Sequence, residues 1–423
     1  MSTQSSFHHG ISGVLAGAFL CLVFAGEGHA AAPCAVPDRR HATIQSAVND
    51  TACSEINVVA GVYSEQLTLN RTGGITIRGA GAGRTIIKSP ATRTRSLVLT
   101  GFLPLYSYVV QVRPGTQATL SNLTIDGGGN ARCSERYFGI RFTSASGTLD
   151  HVVVENVRGS GSDFACANII GVAVTSETGG SAVASSLTLN GSTIRSFQQT
   201  GLLANGPKAT LRVSDTVLHG AGAQGSLAQT GIQLSAGASG TIDRATLTDL
   251  TFTGDPCKGV GTAVQLASAG SSSITSAVVI TADRGILLSK NTLGKMTVSG
   301  SRFVETLQGI LSTDNGSGLV HIDKNSFITT KRSAAATVAT CFAESGDAIA
   351  VRNESASIVT ANSAAASARC AIELLTGTSN LDVGKNQAVR SARADIEDAG
   401  TGNRLSQNLC TTSTPSGLCA GTP

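Results

Sequence analysis

GILLSKNTLGKMTVSGSRFVETLQGILSTDNGSGLVHIDKNSFI, residues 285–328, contains one unit written twice. GILL at 285–288 returns as GILS at 309–312, and MTVSGSRF at 296–303 returns as VHIDKNSF at 320–327. The first phrase is Gly or Ala followed by aliphatic residues. The second is an apolar strand, a two-residue polar turn and another apolar strand. Outward from here the first phrase recurs around Ile140, Val172, Leu202, Ile232, Val264, Ile286, Ile310, Ile349, Ile372 and Ile396, at intervals of 22 to 39 residues. Between these anchors the second phrase recurs as TLSNLTI, TLDHVVV, LTLNGSTI, LRVSDTVL and TIDRATL. Two phrases in fixed order mean one structural unit stacked on itself. Short strands with no helix-length segment between them predict an all-β chain, a parallel β-helix of roughly a dozen rungs.

Composition agrees with thin stacked coils. Aromatic residues are 4%, Trp is absent, charged residues are 14% and glycines number 49. The 31 basic and 27 acidic side chains leave a formal charge of +4, and no Lys/Arg run marks a nucleic-acid face. The apolar stretch 11–26 followed by GEGHAAAP predicts a signal peptide over 1–31, cut near residues 30–32, although its leading segment has no Lys or Arg. The remainder, 32–423, is expected as a single solenoid domain, exported to the periplasm or outside the cell and not inserted in a membrane. An N-terminal cap is expected at about 32–55, where Ile44, Ala47 and Val48 form the apolar stripe of a short helix, and a disulfide-bearing tail at about 400–423.

Cysteine spacing predicts four couples: Cys34 with Cys53, Cys133 with Cys166, Cys341 with Cys370, and Cys410 with Cys419. Cys133 and Cys166 precede successive anchors, which puts them on adjacent rungs roughly 4.8 Å apart. Cys257 is left over as a free thiol. No CxxC or Cys/His zinc spacing is present.

TIQSAVND at 43–50, INVVAGVYSEQLTLNR at 56–71 and ITIRGAGAGRTIIKS at 75–89 resemble the N-terminal coils of right-handed parallel β-helix proteins of the pectin lyase-like superfamily. GNRLSQNLCTTSTPSGLC at 402–419 resembles the closing segment of its secreted members. The resemblance implies the fold. It leaves the activity open among lyases, hydrolases, esterases, epimerases, tailspikes and non-catalytic surface proteins. The Gln-Asp-Thr-Leu strand of pectin methylesterases and the NTD, GHG and RIK segments of polygalacturonases are missing; VLHG at 217–220 does not replace them.

Aligning the rungs on the polar turn identifies an inward column, Ile125, Val154, Ile194, Leu218, Leu247, Val279, Phe303 and Phe327. The next residue of each strand points outward, and that column begins Asp126, Glu155, Arg195, His219. Two carboxylates, a guanidinium and an imidazole on consecutive rungs make a candidate acid/base set: Asp126 or Glu155 as acid/base, Arg195 as carboxylate clamp and His219 as second proton carrier. Segments 127–138, 156–170, 220–230 and 250–261 carry the extra length of the long rungs and are expected to wall a groove. They add Arg132, Arg136, Tyr137, Arg158 and Asp163 as substrate-binding candidates. No metal spacing is evident, and calcium enters only as an ion that the loop carboxylates Asp163 and Glu135 would hold. The expected function is binding and processing of an extracellular, acidic polysaccharide by lyase- or epimerase-type chemistry. The alternative is a non-catalytic β-helix protein for glycan or protein adhesion.

Overall fold

The computed structural model describes residues 33–94, 105–133, 135–160, 169–175, 183–331, 343 and 345–423. The segment read as a signal peptide, together with Asp163, Cys166 and Cys341, lies outside the described residues. Three all-parallel sheets run along the solenoid. Sheet A has 14 strands from Cys34–Val36 to Arg404–Ser406, sheet B has 13 from Gly61–Ser64 to Leu409–Cys410, and sheet C has 13 from Leu67–Leu69 to Ser413–Thr414. The chain visits A, B and C once per coil.

The ten anchors of the first phrase pair one above another in sheet C, from Ile140 on Val172 through to Ile372 on Ile396. All are buried. The inward column of the second phrase stacks likewise in sheet B, and the rings of Phe303 and Phe327 lie 4.7 Å apart and nearly parallel. Each such side chain contributes about 1.5 to 3 kcal/mol by leaving water.

The polar turn between sheets A and B works through backbone conformation. Its first residue is left-handed in coil after coil, with φ of 53° at Asn122, 50° at Asp215, 57° at Lys324 and 59° at Lys385. Four of the residues that follow are asparagines, Asn325, Asn362, Asn386 and Asn408, all buried. The Nδ2 of each of the first three donates to the Oδ1 of the next and to a strand carbonyl. A buried amide stacked on its own kind thus satisfies its hydrogen bonds without water.

Helix Ile44–Asn49 caps the first coil with Ile44, Ala47 and Val48 turned inward. The side chain of Gln45 accepts from Thr68 N and donates to Thr68 O, pairing with the exposed edge strand Leu67–Leu69 as another strand would. Glu65 accepts the N–H groups of Ile44 and Gln45 and holds the helix in place. At the far end Cys410 and Cys419 form a disulfide, as Cys34 and Cys53 do at the first.

Two cysteine expectations are corrected. Cys370 is free and buried, so it is not bonded to Cys341, and Cys257 is disulfide-bonded rather than left over. Cys370 begins strand Cys370–Leu374 with its thiol turned inside, 3.4 Å from Glu397 Oε2. Cys257 sits on the long loop 253–261, where reach is not limited to the rung spacing assumed for it. Cys133 is also disulfide-bonded. Segment 220–230 is not wholly a loop: strand Val217–Gln224 continues through it, with a register shift between His219 and Gly222.

Candidate functional site

Sheet B pairing places Asp126, Glu155, Arg195 and His219 in one outward column, continued by Thr248. It also adds a residue ahead of them, because Lys88 pairs with Asp126. The column has no uniform chemistry, and its side chains separate into three groups.

The first group occupies a cleft of about 640 Å³ lined by Lys88, Asp126, Gly128, Gly129, Asn156, Arg158, Gly159 and Ser160. Strand Thr124–Asp126 buries Ile125 and turns Asp126 outward, and beyond Gly127 the chain turns at Gly128 and Gly129, both left-handed at φ 71° and 63°. A Cβ at Gly127 would lie 2.5 Å from Asn156 O on the next coil, so only glycine permits this approach. The turn brings Gly128 N to within 2.8 Å of Asp126 Oδ1. Asn156, held at φ 55°, donates from Nδ2 to the same oxygen at 3.0 Å. Oδ1 is thereby occupied, while Oδ2 faces Lys88 Nζ at 3.8 Å. Asp126 is thus a fixed carboxylate with one oxygen turned toward a cation, in a cleft that also holds the Arg158 side chain.

Glu155 and Arg195 form the second group. Glu155 Oε2 accepts from both Nη2 at 2.6 Å and Nε at 2.8 Å of Arg195. His219, the third, places Nδ1 2.6 Å from Thr248 Oγ1 and 3.2 Å from Asp249 Oδ2. Both sets are half-exposed and internally paired.

The loop residues disperse. Arg158 lines the cleft and Gly159 bridges to Ala131 across neighbouring loops. Arg132 and Arg93 line a smaller pocket of about 320 Å³. Arg136 is exposed on strand Glu135–Thr143 of sheet C. Tyr137 is corrected: it is fully buried, its hydroxyl donates to Gly127 O at 2.9 Å, and Arg93 covers its ring at 4.4 Å. It braces the backbone at Gly127 and presents no face to a ligand. The calcium expectation rested on Glu135, at the start of strand Glu135–Thr143, and on Asp163, outside the described residues. Among the described residues, potential ligand atoms converge in two places, Cys34 with His41 and Cys53, and Cys370 with Glu373 and Glu397; neither is in these loops.

Lys88 and Asn156 escape sequence reasoning for identifiable reasons. Lys88 ends TIIK, whose preceding turn is GAGAGR and not the two-residue turn used to align the rungs. Asn156 begins a loop, and only its left-handed backbone aims the amide back at Asp126.

No protein-family model matches the chain, and no curated protein matches it. Among solved structures it is similar to the periplasmic alginate epimerase AlgG, with 10% identity, 84% of this chain and 77% of that one covered, and a TM-score of 0.57. The fold is a right-handed parallel β-helix. A second likeness is to the N-terminal fragment of bacteriophage Phi29 gene product 12, with 9% identity, 84% and 61% covered, and a TM-score of 0.51. Sequence identities this low establish shared architecture alone.

Proposed function

We propose that this protein is exported and that its sheet B cleft binds an acidic polysaccharide and abstracts the proton next to a sugar carboxylate. Asp126, held by two N–H donors on one oxygen and facing Lys88 with the other, is the observation that carries this reading. Lys88 and Arg158 neutralise the carboxylate of a bound uronate. Asp126 Oδ2 takes the proton from C5, and the electron pair moves into the carboxylate, where the two cations stabilise it. Departure of the C4 oxygen, which takes a proton from water, then gives an unsaturated sugar; a proton from water delivered to the opposite face of C5, instead of elimination, gives the C5 epimer. The same fold serves an alginate epimerase, which supports this substrate class. Disulfides at both ends of the solenoid support an oxidising compartment.

Glu155 and Arg195, one and two rungs away, meet neighbouring sugars of the polymer. His219 is three rungs from Asp126, about 14 Å at the strand spacing, too far to share a sugar with it. The internal pairing of Glu155 with Arg195 and of His219 with Asp249 favours a second reading, a surface that holds glycan without turnover.

Incubation with pectate, alginate and glycosaminoglycans in D2O separates the two, with ultraviolet absorbance reporting unsaturated ends and NMR reporting deuterium at C5. The proposal expects one signal or the other, and a loss of about 10² to 10⁴ in rate for Asp126→Asn with binding retained. Silence on every polymer, or full activity in Asp126→Asn, refutes the catalytic reading; polymer binding that persists alongside silence leaves the adhesive one standing.

A further inference from the structure

A second groove, of about 560 Å³, lies on the outer face of sheet A in the C-terminal half of the solenoid. Its origin is a change of side-chain size from rung to rung. In one outward row His321, Ile358, Asp382 and Arg404 stack; in the next, Asp323, Thr360, Gly384 and Ser406. The flanking left-handed turn residues are Lys324, Ala361 and Lys385. In the turn column Ala361 stands between Lys324 and Lys385, and in the row beside it Thr360, Gly384 and Ser406 are all small, so a notch opens between the two lysines. A Cβ on Gly384 would sit 3.0 Å from Ser406 O, which makes the floor as low as the backbone permits.

The charges in this notch do not cancel. Asp382 is held by both nitrogens of Arg404, at 2.6 and 2.9 Å, and that bond keeps its carboxyl below the usual range. Asp323 is nearly buried and lies 3.5 Å from Lys324 Nζ, whose side chain is 72% exposed. With Arg404 counted, three cations face two carboxylates, and the exposed ammonium groups of Lys324 and Lys385 stand on either side of Ala361 in the turn column. Half-buried Ile358 supplies an apolar surface to the groove beside them.

We infer that this sheet A groove is a second binding site that holds an anionic saccharide, with Lys385 and Lys324 on its carboxylate or sulfate and Ile358 under the sugar ring. A guanidinium fork would select one planar anion. Two exposed ammonium groups two coils apart, with Ile358 on the same face, instead suit a repeating anionic chain, whose charges recur while its ring faces stay apolar. The groove lies on a different sheet from the Asp126 cleft and draws on none of its residues. It relies on the proposed function only for the choice of a glycan.

The test is affinity electrophoresis and calorimetry with oligogalacturonate, oligoalginate, a heparin-derived oligosaccharide and a neutral cello-oligosaccharide. These are applied to the wild type, Lys324→Ala/Lys385→Ala, Lys385→Arg and Ala361→Glu, each also in a Lys88→Ala/Arg158→Ala background that weakens the cleft. The groove predicts binding of anionic probes that survives loss of the cleft cations. It also predicts about tenfold weaker binding for the double lysine variant and for Ala361→Glu, near-complete rescue by Lys385→Arg, and a fall with salt. The uronate and sulfate probes distinguish which anion is held. Binding that is lost with the cleft cations alone, equal affinity for the neutral probe, or no binding of any anionic probe overturns the inference. Turnover at Asp126 is read separately: a groove effect without turnover counts against the cleft chemistry only, and turnover without a groove effect counts against the groove only.

Discussion

Asp283 shows what burial does to a single charge in this wall. Its Oδ2 accepts N–H groups from Phe252 at 2.7 Å and Gly261 at 2.8 Å, clasping the loop that carries Cys257. Burial nevertheless outweighs those bonds and pushes its pKa from 3.8 to about 6. Asp347, beneath Arg369, is pushed up to about 7, again chiefly by burial. A carboxyl group whose pKa is higher in the folded state binds more protons there than in the unfolded chain. Its contribution to stability is therefore complete below about pH 3.8 and is lost as pH rises through about 6 for Asp283. Asp283→Asn, which keeps an acceptor for the two N–H groups, is expected to flatten the pH dependence of urea unfolding between pH 4 and 7. Near neutrality the variant should gain on the order of 3 kcal/mol relative to its standing at pH 4. Parallel curves for the two proteins would contradict this account.

At the scale of the element, the turns and caps decide which coils can stack. Asn386 accepts from Asn362 N and Nδ2 and donates to Val359 O and Asn408 Oδ1. Replacing it by Ala deprives the side-chain amides of Asn362 and Asn408, the Asn362 N–H and the Val359 carbonyl at once, for a loss of about 1 to 3 kcal/mol. Once the ladder is broken there, Asn362→Ala should cost much less than it does alone, and denaturant melts of the two single variants and the double would show it. Strict additivity would mean that the asparagines act independently. Gln45 plays the corresponding role at the first edge. Gln45→Ala leaves Leu67–Leu69 without its partner, so a concentration-dependent rise in light scattering is expected while the folded core is retained.

Over the whole molecule, stability resides in nearest-neighbour contacts between coils. Ser289 pairs with Thr313, and Asn291 stands in its coil where Asn315 stands in the next. Excision of residues 289–312 removes one 24-residue period and joins Leu288 to Thr313. Asn315 then takes the place of Asn291. The shortened chain is expected to fold cooperatively with parallel-β circular dichroism and an unchanged sheet B cleft, since Lys88, Asp126 and Arg158 lie many coils away. Collapse of the fold would mean that coupling extends well beyond adjacent rungs.

The sequence by itself determined the solenoid, its register and the inward columns, because in stacked coils residues at equal phase must become neighbours and periodicity is a direct record of contact. The helical cap was legible for the same reason, through the stripe of Ile44, Ala47 and Val48. Tertiary structure decided whatever depends on departures from the period. Lys88 joined the column across an irregular turn. Tyr137 went inside with its hydroxyl on Gly127 O, and Cys257, on a long loop, is bonded. Even inside the column, the repeat specified which residues adjoin but not how they divide. Arg195 turned to Glu155 and His219 to Asp249, leaving Asp126 with Lys88 in the cleft, and side-chain direction and local hydrogen bonds, which carry no period, made that choice.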